Sequence, residues 1–187
     1  MTYGFFAMRQ ALRPAAVLGW AVVGLAGAAP AAAQLDLCME AERFLRETME
    51  MQALSEPDTI DDWRTQAMVP GCRVTAAGAT RDTPPQVARG FFEVLAESGW
   101  TRTPDPQDAP NEASLRYRRL GADCLFTYYD GTSTLNTEAE FTVSDAVEIE
   151  PGERFFYFLV MCTPAAPAAE RGGGPGTGVD DIPSLLR

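Results

Sequence analysis

The chain has 187 residues and a formal net charge of −11, from 26 acidic and 15 basic side chains. Every basic residue is arginine; the sequence contains neither lysine nor histidine. Such a balance repels nucleic-acid phosphates and anionic lipid surfaces. It also removes lysine Schiff-base chemistry, histidine-centred triads and most transition-metal sites. A catalyst would have to work with carboxylate, tyrosine, serine, threonine or cysteine, and no cofactor or metal is expected.

The N-terminus reads as an export signal. Arg9 and Arg13 precede an apolar run over 15–27, and a small-residue stretch over 28–33, broken by Pro30, ends in Ala31-Ala32-Ala33. This is the order of charged, apolar and cleavage regions in a secretory leader, and its apolar core falls short of the roughly 20 residues that span a bilayer. Residues 1–33 are therefore expected to be a signal peptide cut after Ala33, leaving a periplasmic or secreted chain with no stable membrane anchor. Asp36, two residues before Cys38, spoils a lipoprotein-type cut in front of that cysteine. Loss of the leader removes two arginines and no acid, so the mature chain is more acidic still.

Residues 34–163 are expected to form one domain. Residues 164–187, rich in Pro, Ala and Gly, have too little apolar surface to offset their ordering entropy and read as a disordered tail. That tail closes on Ile182, Leu185 and Leu186, an apolar patch that either docks on a partner or is an ordinary terminus.

Cys38, Cys72, Cys124 and Cys162 all lie beyond the leader. An even count in an exported chain predicts a disulfide framework, and the lack of any C-x-x-C argues against a thioredoxin-type redox site or a zinc ribbon. Three connectivities are open. The favoured one pairs Cys38 with Cys72 and Cys124 with Cys162, each joining elements near in the chain; the runner-up pairs Cys72 with Cys124 and Cys38 with Cys162. Each closure contributes about 3 to 4 kcal/mol in the chain-entropy picture.

In chain order, Leu37, Ala41, Phe44, Thr48 and Met51 recur at alternating spacings of four and three and predict an amphipathic helix with Cys38 in its first turn. The acidic stretch after it, with Asp58 or Thr59 as cap, suggests a short second helix carrying Ile60 and Trp63; Asp58, Asp61 and Asp62 lack the calcium-loop order. Residues 72–78 read as a strand. Thr83 as cap and Pro84 as first residue open a helix whose buried stripe is Val87, Phe91, Val94, Leu95 and Ser98, with Gly99 as its left-handed stop and Trp100 folding back.

After a Pro-rich loop come strands over 114–120, 123–129 and 153–163, with 138–149 as a weaker fourth, and turns at 121–123 and at Asp130-Gly131. Cys124, Phe126 and Tyr128 share one strand face, and Phe156, Phe158, Val160 and Cys162 another. The fold class predicted is α+β: an antiparallel sheet of three to four strands with two main helices on one face and two disulfides.

The densest chemical stretch is 114–131, where Arg116 and Arg118 alternate with Tyr117 and Arg119. Arg116 and Arg118, with Tyr128 from the next strand, form a candidate site for an anion or a partner; the competing account is a sheet face whose arginines pair with Glu138, Glu140 or Asp145. Glu93 and Glu97, one helical turn apart, resemble a carboxylate couple but read better as the wet side of a helix. The aromatic run 154–160 reads as a buried strand rather than a ligand platform. No catalytic residue is assigned. The expected function is a non-enzymatic accessory module that binds a protein or small ligand; the alternative is a carboxylate- or tyrosine-based hydrolase of cell-envelope polymers.

Overall fold

A computed structural model describes residues 31–62, 64–103, 114–132 and 134–166. The expected leader up to residue 30, Trp63 and the expected tail beyond residue 166 lie outside the described residues. Helix α1 (Ala31–Arg43) runs into a π-helical turn at Phe44–Thr48, and strands β1 (Gln52–Asp62) and β2 (Ala67–Thr80) follow. Next come α2 (Pro84–Glu97), β3 (Thr101–Arg102), β4 (Ser114–Arg119), β5 (Ala122–Tyr129), α3 (Glu138–Asp145) and β6 (Arg154–Pro164). The sheet is antiparallel in the order β1-β2-β6-β5-β4-β3.

Both favoured disulfides are present, Cys38–Cys72 and Cys124–Cys162. The sheet has six strands, however, where three to four were expected. One addition is β1, which replaces the short helix expected after residue 58. Its acids serve as cross-strand partners: Glu56 lies opposite Arg73 in the register and binds it at 3.0 Å, and Asp58 approaches the same guanidinium at 3.5 Å. The first helix also stops earlier than its apolar stripe implies, because Glu50 enters a left-handed conformation (φ 53°) and turns the chain into β1. Met51, expected on the helix, is buried beyond it. In the described chain α1 begins at Ala31, so Cys38 sits in its second half rather than its first turn.

The second correction is α3, where 138–149 was expected to be a strand. Thr137 Oγ1 accepts from Glu140 N at 3.2 Å, and Glu140 Oε2 in turn accepts from Asn136 N at 2.8 Å. This reciprocal cap fixes a helix start.

Helix α2 follows its sequence signals closely. Thr83 and Gln86 form the capping box, Pro84 opens the helix, and Gly99 (φ 84°) turns the chain so that Trp100 is buried. Phe91 stands at the centre of the core, 3.5 Å between ring centroids from Phe158 and within 6 Å of Phe44, Phe92 and Phe126. With Val74 and Ala76 of β2, Phe156 and Val160 of β6, and Trp100, these side chains fill the space between the sheet and helices α1 and α2. The two main helices thus cover one face, as the sequence predicts, while α3 lies on the other, where Val143 packs with Ala77 and Tyr157.

Candidate functional site

Alternation along β4 and β5 decides where the sequence-predicted residues go. Tyr117 and Tyr128 face the helices, Tyr117 stacking on Phe92 and Tyr128 meeting Phe158 at 5.6 Å. Arg116 and Arg118 face the opposite way, in register with Leu125 and Asp123. Arg116 is buried. The two arginines therefore share a face, but Tyr128 is on the other side of the sheet, and the three are not brought together. Glu138, Glu140 and Asp145 sit on α3, and Arg118 binds Asp123 of its own hairpin and the Ala166 carbonyl.

Asp123 is the centre of a buried ionic clasp. Its carboxylate is fully enclosed and accepts from Arg118 Nε at 2.6 Å, Arg118 Nη2 at 2.9 Å, Arg64 Nη1 at 2.9 Å and Ala166 N at 3.0 Å. Arg64, from the β1–β2 turn, also binds both oxygens of Asp62 and reaches Thr163 Oγ1 at 3.4 Å. The tip of that hairpin thus crosses β6 to meet β5. Gly71 permits the approach, since a Cβ there would collide with the Cys162 carbonyl oxygen.

Burial by itself would raise the carboxyls of Asp62 and Asp123. The hydrogen bonds and charges of the arginines, Arg64 for Asp62 and Arg118 with Arg64 for Asp123, outweigh it and hold both below the ordinary aspartate range. Burial likewise opposes the charge on Arg64, and the two aspartates more than restore it. A carboxylate pinned this way neither accepts nor donates protons near neutrality.

A second polar group lies under α3. Glu140 is buried on the sheet side, and its Oε1 and the Tyr129 hydroxyl are both enclosed without a hydrogen-bond partner among the described residues. Burial, then the negative charge of nearby Glu140, push the Tyr129 phenol well above the usual tyrosine range. Tyr129 stacks on Tyr157 at 4.9 Å, and Ser144 Oγ bridges the Glu140 carbonyl and the Tyr157 hydroxyl.

An open depression of about 520 Å³ lies at the β4–β5 turn, lined by Gly99, Thr101, Arg118, Arg119, Leu120 and Gly121. A groove of about 420 Å³ runs between the C-terminal end of α3 and the ends of β1 and β2. Its floor is Ala77, Gly78 and Val147, and its rim carries Glu50, Glu148 and Glu153. Sequence reasoning missed this groove because one wall follows α3, which was read as a strand. The Thr137-x-x-Glu140 capping pattern was the signal that would have revealed it. Comparison of the chain with protein families, curated proteins and solved structures finds no match.

Proposed function

We propose that the chain is an exported, periplasmic or secreted module that binds a protein or small ligand without transforming it. The leader pattern supports export, and two disulfides suit an oxidising compartment. The observation that carries the binding reading is the fate of the enclosed aspartates: Asp62 and Asp123 are held ionised inside arginine pairs, the opposite of a general acid poised by burial. The binding surface moves accordingly from the Arg116–Arg118 strand to the acidic groove beside α3. Small residues on its floor and glutamates on its rim suit a basic side chain or basic segment of a partner.

The test is a titration of the leaderless protein with a basic envelope hydrolase such as lysozyme, at low and moderate salt. A salt-sensitive complex that weakens in Glu148→Arg is expected; no complex at low salt, or one indifferent to Glu148→Arg, overturns the reading. The hydrolase alternative draws on the Glu140–Tyr129 pair, yet a phenol pushed upward by burial and a neighbouring carboxylate is a poor nucleophile. Turnover of purified peptidoglycan that is lost in Glu140→Gln would favour it.

A further inference from the structure

The two disulfides lie side by side in one row of the sheet. Cys162 on β6 is the register partner of Cys72 on β2 and of Cys124 on β5, so three of the four cysteines stand abreast on adjacent strands. Cys38 reaches down from α1 onto Cys72. The sulfurs of Cys38, Cys72 and Cys162 lie within 4.8 Å of one another, and Cys124 Sγ is 4.0 Å from the Leu37 carbonyl oxygen, directly beside Cys38. All four residues are fully buried.

The geometry points to a disulfide pair that exchanges within the folded sheet, so that α1 is tethered either to β2 through Cys38–Cys72 or to β5 through Cys38–Cys124. The exchange is redox-neutral and needs only a thiol as catalyst. Because Cys38 is fully buried, α1 must first lift from the sheet; a small-molecule or protein thiolate then attacks Cys38 Sγ, forming a mixed disulfide and expelling Cys72 as a thiolate. Cys72 then attacks Cys162, forming Cys72–Cys162 and releasing Cys124 as its thiolate. Cys124 attacks Cys38 and returns the catalyst thiol. Two bonds break, two form, and no net electrons are transferred.

The sheet order forbids the remaining connectivity. Cys72 and Cys124 flank β6 two strand spacings apart, about 9.6 Å, beyond the roughly 7 Å that a disulfide can bridge. Exchange in the folded protein therefore yields two isomers, whereas an unfolded chain yields three. The device sets the position of α1 on the sheet by thiol exposure.

Incubation of the folded protein with catalytic reduced glutathione, acid quenching, digestion and mass mapping test the proposal. The expected result is peptides linked Cys72–Cys162 and Cys38–Cys124 beside the starting pairs, with no Cys72–Cys124 link. Persistence of the starting pairs alone overturns it, as does the appearance of all three connectivities. A second measurement uses Cys38→Ser, which leaves Cys72 as a free thiol beside Cys124–Cys162. Alkylation divided between Cys72 and Cys124 supports exchange, and alkylation of Cys72 alone overturns it. Should that variant fail to fold by circular dichroism, Cys124→Ser places the thiol on Cys162 beside Cys38–Cys72. Label spreading away from Cys162 is then the supporting result, and label confined to Cys162 the overturning one.

Discussion

The helix-covered face of the sheet and the face opposite are built from alternate residues of the same strands, yet they are held by different forces. Toward α1 and α2, β5 and β6 present Phe126, Phe158 and Val160 with the Cys124–Cys162 bond, and stability comes from apolar burial and aromatic contact. One residue along, the same strands present Asp123 and Thr163 to Arg64, and cohesion there comes from charge pairing inside a desolvated clasp. The first face tolerates changes of polarity badly and changes of pH well. The second depends on matched charges, so it is sensitive both to loss of a charge and to acid.

The largest separation between the faces should come from truncating the core centre. Phe91→Ala removes a ring in contact with four others and is expected to lower stability by about 4 kcal/mol. The loss should be the same at pH 7 and pH 4 in urea unfolding. A pH-dependent loss would mean that the two faces are coupled.

Breaking the clasp should cost nearly as much but with a different signature. Asp123→Asn leaves the largely buried Arg64 and the partly exposed Arg118 without their shared anion, at an expected cost of about 3 kcal/mol. In the parent protein the folded-state carboxyls of Asp62 and Asp123 titrate below their unfolded values, so the unfolded chain takes up protons first as acid is added. The stabilisation they contribute is therefore complete above about pH 4 and is lost progressively as the pH falls through the folded-state values. Thermal melts from pH 6 to pH 2 should show that decline in the parent and a shallower one in Asp123→Asn. Parallel curves would place the acid sensitivity elsewhere.

The two faces also differ in how far the sequence reveals them. The core face was legible: the stripe of α2, the shared faces of β5 and β6 and both disulfide pairs follow from periodicity and chain proximity, because apolar burial leaves a repeating trace. On the other face the clasp joins residues 59 positions apart, Arg64 and Asp123, and no local pattern announces a long-range charge pair. Strand β1 was misread because its acids and Pro57 resemble a helix start, whereas Glu56 and Asp58 in fact answer Arg73 across the ladder. The misreading of α3 had a different origin. Its apolar residues are few and the deciding signal was the Thr137–Glu140 cap, which reads clearly once a helix is considered.

A smaller change sharpens the turn that joins β4 to β5. Leu120 is 83 % exposed and has φ 46°, next to Gly121 at φ 83°. Both central residues of the hairpin turn are left-handed, a geometry that asparagine accepts more readily than leucine. Leu120→Asn is expected to raise stability by up to about 1 kcal/mol, measured by urea unfolding. A loss would show that the leucine makes a stabilising contact that the turn chemistry does not capture.

Between the two faces runs the outer edge of β1, where the smallest effect on stability and the clearest effect on association should appear together. An eleven-residue edge strand is a template for pairing with another chain. Here Arg46 donates to the Ala53 carbonyl, Pro57 offers no N–H, and the Thr59 N–H is taken by the Asp58 carboxylate at 2.8 Å. Since the carbonyl of an edge residue and its N–H point the same way, Ala53, Pro57 and Thr59 interrupt one row of the edge at three points. Arg46 is half exposed, so Arg46→Ala combined with Pro57→Thr should change unfolding free energy by less than about 1 kcal/mol while shifting the protein toward larger species in sedimentation velocity. An unchanged sedimentation profile would mean that the charges of β1 alone suffice to keep the edge closed.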